Sequence, residues 1–269
     1  MNALNNMSEK EIKVDVHVLC YNEEKIVPFM LDYWDKFATN VYVYDNYSTD
    51  RSVELLSKET RFNVEIIYTD TENKFNDMVN VTIKNNDWKK SRGESDFVVV
   101  SDFDEALYSE NIMSELLYMK NNKQTICFPE IYELYSLDFP VYDKNKLIHE
   151  IVENGMYNKS FGKKILFNPN EISEINYSVG AHNCNPIGNI NYYDRENIFM
   201  FHCKQLSIDY VIKKYRDSES RLSDVNKQYN WGVQYAYPDD KIVKILKDEL
   251  DSCVKLNTIF KNENTSNNK

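Results

Sequence analysis

The run Phe97-Val98-Val99-Val100-Ser101-Asp102-Phe103-Asp104-Glu105 reads as an apolar strand that ends in a burst of carboxylates. Four apolar residues without alternation mark a strand covered on both faces, the pattern of a central strand in a parallel sheet. Side chains alternate along a strand, so Asp102 and Asp104 are expected to point the same way as the chain leaves the sheet. Such a pair can hold a divalent cation. In an open α/β sheet the carboxyl edge of the strands is also where ligands collect. The same run reads equally as an acidic turn capping a helix that starts near Tyr108, because Asp and Glu are favoured at a helix N-terminus.

Outward from this strand, the first hundred residues alternate strand and helix. Strands are expected at 14–20, 41–44, 64–68 and 97–101, with helices over 23–37, 51–58 and 76–90. The helix over 23–37 carries Ile26, Phe29, Met30, Tyr33, Trp34 and Phe37 at three- and four-residue spacing, an amphipathic stripe. His17, inside the first strand, reads as a packed core residue. The alternation predicts an α/β fold with a mostly parallel sheet and helices on both faces. After Glu105 the rhythm breaks: a helix over 109–120, a strand over 125–128, an irregular Tyr- and Asn-rich stretch, a late strand over 199–202, and helices over 208–222 and 240–256. The expected organisation is a ligand-binding half over 12–107, a second half of the same domain over 108–222, a C-terminal helical extension over 223–260 and a disordered tail over 261–269. Residues 1–11 are expected to be loose as well.

Composition narrows the function. A chain of 269 residues with 42% hydrophobic content can build a sizeable core, and a net charge of -11 gives no electrostatic footprint for nucleic acid. Five scattered cysteines without a C-x-x-C pair, and an N-terminus without an apolar leader, suggest a reduced, cytoplasmic protein. The apolar runs are strand-length, so membrane contact is expected to be peripheral at most. With only six glycines there is no G-x-G-x-x-G and no G-x-x-x-x-G-K-[ST], so a bound phosphate would need metal and lysine instead of a glycine cradle.

Three strand ends carry polar clusters that a parallel sheet would bring to one edge: Tyr21-Asn22-Glu23-Glu24, Asp45-Asn46-Tyr47-Ser48-Thr49-Asp50, and Asp102-Phe103-Asp104-Glu105. Asp45 is placed to accept hydrogen bonds from a ribose or a base, and equally to form an Asx-turn. In this order and spacing the three clusters resemble the family 2 glycosyltransferases with a GT-A, Rossmann-like fold, in particular the bacterial branch with a D-x-D-E metal motif. A later stretch, Lys163-Lys164-Ile165-Leu166-Phe167 to Gly180-Ala181-His182-Asn183 and Phe201-His202, is similar to the second half of that branch.

The resemblance implies a nucleotide-sugar donor, UDP-linked, and a Mn²⁺ or Mg²⁺ ion. It also implies a glycan or lipid-linked acceptor hydroxyl, in bacterial polysaccharide synthesis. Carried over by position, Tyr21 and Glu23 would lie near the nucleotide and Asp45 at the uracil or ribose. Asp102 would reach ribose or metal, Asp104 would be the principal metal carboxylate, and His202 would complete the metal shell, although a strand-end histidine is also a common core residue. An imidazole ligand favours Mn²⁺ over Mg²⁺. Lys163 or Lys164 could add charge at the diphosphate or form an ordinary solvated pair. An inverting transfer needs a general base. The E-D pair that many family members resemble one another in is absent, leaving Glu105, Asp138 and His182 as candidates. Trp231, in Tyr229-Asn230-Trp231-Gly232, is a candidate acceptor contact. Zinc held by His182, Cys184, His202 and Cys203 is disfavoured, since adjacent strand residues face opposite sides. Two other functions fit the same pattern: a nucleotidyltransferase, or a non-catalytic nucleotide- or carbohydrate-binding module.

Overall fold

A computed structural model describes residues 12–158, 163 and 165–260. The expectations for 1–11, for Lys164 and for 261–269 lie outside the described residues. The alternating half comprises β1 (Val14–Cys20), α1 (Val27–Trp34), β2 (Asn40–Asp45), α2 (Ser52–Leu56), β3 (Asn63–Tyr68), α3 (Asp77–Asn86) and β4 (Phe97–Asp102). Next come β5 (Glu105–Tyr108), α4 (Ile112–Asn121), β6 (Ile126–Cys127), β7 (Glu130–Tyr135), α5 (Ile148–Ile151), β8 (Asn154–Tyr157), β9 (Leu166–Phe167), β10 (Ile172–Glu174) and β11 (Ile187–Gly188). The last elements are β12 (Phe199–Gln205), α6 (Ile208–Ser220), α7 (Asp224–Gln228), α8 (Asp239–Asp251), β13 (Val254–Lys255) and α9 (Leu256–Phe260).

The first sheet has the order β3-β2-β1-β4-β9-β6, and its first four strands are mutually parallel. Register pairs Cys20 with Asp45 and Leu19 with Asp102, so the polar strand ends meet at one edge, as the alternation predicts. The unbroken apolar run of β4 is explained by its two covered faces. Phe97 and Val99 belong to the core cluster that includes Phe29, Met30 and Trp34 of α1. Val98 and Val100 belong to a second cluster with Val81 of α3, Trp88 and Phe167. His17 faces that second side and is buried, with its ring nitrogens 3.0 Å from the Tyr44 hydroxyl and from Ser91 Oγ.

Beside this sheet lies a second one, β13-β8-β7-β12-β5, antiparallel except for the β7–β12 pair. It corrects the reading of the chain after Asp102. The helix expected near Tyr108 begins only at Ile112, where the Asn111 side chain accepts the Ser114 N–H at 3.2 Å. The residues before it, Glu105–Tyr108, form a strand paired to β12. Phe103 and Asp104 are the two residues between β4 of the first sheet and β5 of the second, and Phe103 is pinned in the core edge-on to Trp34, with ring centroids 5.2 Å apart. A second correction falls at the C-terminal end. The helix expected over 240–256 stops at Asp251, and Val254–Lys255 add a short strand to β8. No described helix is long and apolar enough to cross a membrane.

Candidate active site

The carboxyl edge of β1, β2 and β4 opens into a cavity of about 530 Å³. The polar loops that frame it are fastened to each other. Asn22, with a positive φ of 54°, accepts the Thr49 N–H through its side chain at 2.7 Å. The Asn22 N–H donates to Ser48 Oγ at 2.9 Å, the Glu23 N–H to Ser52 Oγ at 2.7 Å, and the Glu24 N–H to Asp50 Oδ2 at 3.0 Å. Much of the polar signature in these two loops therefore serves to cross-link them and to satisfy backbone donors that would otherwise be orphaned.

Asp45 belongs to that scaffold. It is fully buried, its carboxylate accepts both the N–H and the hydroxyl of Ser48, and it does not line the cavity. The carboxylate is thus engaged within its own loop, three residues on, and not on the cavity wall. The opposite wall comes from the end of α6 and the segment after it. Phe75 N–H donates to Arg221 O at 2.7 Å, Ser223 N–H donates to Phe75 O at 3.0 Å, and the fully buried Asn226 clasps the first turn of α3 through Asp77. The Arg221 guanidinium lies over the Tyr21 ring, 3.1 Å from its centroid.

Two chains of alternating charge cross the site. In the first, Lys84 from α3 donates to Asp102 Oδ1 at 2.6 Å, and Lys163 lies between Asp102 Oδ2, at 3.4 Å, and Glu105. Glu105 also accepts the Asp102 N–H at 3.0 Å. Burial pushes the Asp102 carboxyl up, but Lys84 and Lys163 outweigh it and hold the pKa below its usual range. In the second chain, Lys214 from α6 lies 2.9 Å from both Glu23 Oε1 and Asp104 Oδ2. Oδ1 of the same Asp104 faces Nε2 of His202 at 3.6 Å, and Nδ1 of His202 lies 2.8 Å from Glu133 Oε1.

Each member of this second chain is perturbed. Asp104 is raised by burial but held well below its usual range by Lys214 and His202. Burial alone would lower the His202 pKa, yet Glu133 and Asp104 bring it up to about 10. Glu23 is pushed up to about 7, chiefly by burial and against the pull of Lys214.

Of the residues expected in the site, Tyr21, Glu23, Asp102, Asp104, Lys163, His182 and His202 line the cavity. Asp102 and Asp104 are engaged by different partners, Lys84 and Lys163 for the one and Lys214 and His202 for the other. Strand alternation ends with β4 at Asp102, and the buried Phe103 turns the chain before Asp104 is reached. Two of the three base candidates fall outside the cavity. Glu105 is 1% exposed and saturated by Lys163 and a backbone N–H, while Asp138 is exposed in the loop after β7. His182 remains; burial lowers its pKa to about 4 and Lys163 adds to the effect, so it is a neutral acceptor at pH 7.

The residues that sequence reasoning missed are Lys84, Lys214 and Glu133. The two lysines sit on helices whose polar faces read as solvated, and Glu133 sits in a strand where a charge reads as surface. Only their long-range partners distinguish them.

Among the described residues, no group of three or more His, Cys, Asp or Glu side chains converges on one point as a complete metal cage. Once His202 gives up its proton, the Asp104 and His202 pair fits an ion that takes its remaining ligands from substrate and water. The carboxylate behind Nδ1 orients the imidazole so that Nε2 faces Asp104, the arrangement found behind metal-ligating histidines.

No family model matches the sequence, and no curated protein matches it. Among solved structures, the chain is similar to S. aureus TarS 1-349 in complex with UDP-GlcNAc, with 16% identity and a TM-score of 0.44 over 80% of this chain and 69% of that one. Another S. aureus TarS crystal structure matches with 14% identity and the same TM-score of 0.44; the chain covers 41% of its length. Core-mannan synthase A from Aspergillus fumigatus, in its Mn/GDP form, is more distant, with 10% identity and a TM-score of 0.34 over 48% of this chain and 44% of that one. These are loose likenesses of architecture.

Proposed function

We propose that the protein is a glycosyltransferase that moves a sugar from a nucleotide-sugar donor, UDP-linked, to a hydroxyl of a glycan or lipid-linked acceptor, with inversion at the transferred carbon and in bacterial polysaccharide or glycoconjugate synthesis. The observation that carries this reading is the Asp104–His202–Glu133 row, where the second sheet meets the carboxyl edge of the parallel one beside a cavity of about 530 Å³ ringed by lysines. That volume is in the range of small-molecule sites, and the edge is where such folds take nucleotides. The spacing of the three loop motifs supports the same reading.

Breaking an anomeric C–O bond puts negative charge on the departing diphosphate and positive charge on the ring. Asp104 and His202 would hold Mn²⁺, or Mg²⁺, which supplies Lewis-acid stabilisation of that leaving group. Lys163 and Lys84 fix the Asp102 carboxylate at the cavity wall, where it can accept hydrogen bonds from ribose or sugar hydroxyls. His182 is neutral and on the cavity wall, able to take the acceptor proton as the new bond forms. Tyr21, backed by Arg221, offers an aromatic face to the base.

Thermal shift with a panel of nucleotide sugars, with and without Mn²⁺, tests the proposal. A UDP-sugar is expected to raise the melting temperature only when metal is present, and Asp104→Ala is expected to abolish the rise. Slow metal-dependent release of sugar to water is expected from a transferase. Binding without any release would make the protein a binding module, and pyrophosphate release from a nucleoside triphosphate plus a sugar phosphate would make it a nucleotidyltransferase.

A further inference from the structure

We infer that Lys214 is a built-in competitor for the catalytic cation: its ammonium holds Asp104 and Glu23, so that a divalent ion binds weakly to the protein alone and firmly only together with an anionic donor. The inference deepens the reading above and rests on it for the identity of the donor. The competition itself rests on geometry. Nζ of Lys214 is 2.9 Å from Asp104 Oδ2 and 2.9 Å from Glu23 Oε1, and its side chain is only 20% exposed. The Tyr210 ring flanks the ammonium at 5.2 Å, and the Tyr210 hydroxyl donates to the other oxygen of Glu23 at 3.2 Å.

An ion between Asp104 Oδ1 and His202 Nε2 would share its carboxylate with this ammonium. Two positive charges on one carboxylate repel each other, and the repulsion is little screened in a buried site. Asp102 and Glu105 offer no surplus charge to offset it, because Lys84 and Lys163 neutralise them. A diphosphate brings both ligand oxygens and negative charge, so it relieves the repulsion when it arrives. Lys214 thus ties metal loading to donor loading. It acts through Asp104 and is a positioning residue.

The test measures Mn²⁺ binding, by the electron paramagnetic resonance signal of the free ion, for the wild type, Lys214→Gln and Lys214→Arg, each with and without UDP. Without UDP, Lys214→Gln is expected to bind Mn²⁺ about tenfold more tightly than the wild type or better, because two buried carboxylates lose their counter-charge. Lys214→Arg, which keeps the charge, should stay close to the wild type. UDP should tighten Mn²⁺ binding strongly in the wild type and weakly in Lys214→Gln. If Lys214→Gln does not fold, Lys214→Met removes the charge while keeping the stem beside Tyr210 and carries the same expectation. Equal or weaker Mn²⁺ binding by the neutral variants, with UDP tightening every protein alike, overturns the competition and leaves the donor reading standing. Tighter binding by the neutral variants with no UDP effect in any protein keeps the competition and overturns the donor reading. No Mn²⁺ binding by any of them overturns both.

Discussion

His202 on β12 and Glu133 on β7 are register partners across a parallel pair of strands, and Nδ1 of the imidazole lies 2.8 Å from Oε1 of the carboxylate. On its other side β12 pairs His202 with Glu105 of β5. Cross-strand partners share a face of a sheet. The second sheet therefore builds one buried row, Glu133–His202–Glu105, against which the Asp104 turn is set. The site is assembled by strand register as much as by the loops that carry its recognisable motifs.

Glu133→Gln tests the orienting role of that row. An amide in place of the carboxylate removes the charge that fixes the imidazole, and loss of such a partner typically costs 10 to 100-fold in metal affinity. The expected outcome is a drop of about that size in Mn²⁺ affinity measured with UDP present, with the fold intact by circular dichroism. Unchanged affinity would confine Glu133 to packing.

Lys163→Met separates a structural ammonium from a catalytic one. Glu105 is 1% exposed and relies on Lys163, so breaking the pair leaves a buried charge uncompensated. A loss of about 3–5 kcal/mol in urea unfolding is expected. The double variant Lys163→Met/Glu105→Gln should recover most of it, because the orphaned charge is gone. No recovery in the double variant would show that Lys163 contributes through other contacts.

Acid sensitivity follows from two buried histidines. Burial, helped by Lys90, lowers His17 to about 3, and burial lowers His149, 2.6 Å from the Tyr33 hydroxyl, to about 3 as well. An unfolded histidine titrates near 6.5, so below that pH the unfolded chain binds more protons than the native one. Their contribution is whole above pH 6.5 and is lost as pH falls from there through about 3. Urea midpoints should decline between pH 7 and pH 4, and His17→Gln/His149→Gln should flatten the decline. An equally steep decline in the double variant would assign it to His182 or to carboxylates instead.

Trp231 lines the cavity and stacks on the exposed Tyr229, with ring centroids 4.9 Å apart. Gly232 next to it has a positive φ of 79°, and a side chain there would collide with Tyr235 and Leu222, so the loop that presents the indole is sterically defined. Trp231→Ala should raise the KM for a saccharide acceptor several-fold while leaving donor hydrolysis near the wild-type rate, since the indole would cover the apolar face of a sugar ring and its loss exposes that area to water. A parallel fall in donor hydrolysis would place Trp231 at the donor instead.

The parallel sheet and the edge on which the site sits were legible in the order of residues, because each depends on local pattern. An unbroken apolar run such as 97–100 has to be covered on both faces, and polar residues at successive strand ends have to gather once those strands run parallel. The interior of α1 followed from its periodicity for the same reason. Only the tertiary structure decided the electrostatics. Whether Lys84 and Lys214 are solvated or locked onto aspartates depends on partners 18 and 110 residues away, and whether Glu133 is surface or support depends on a strand 69 residues later. Asp45 and Asp102 look alike at strand ends. One is consumed by its own turn through Ser48, and the other faces the cavity, held there by Lys84 from another element. Hydrophobic burial is written into short-range sequence pattern, whereas the pairing of charges is fixed by distances that exist only after the chain has folded.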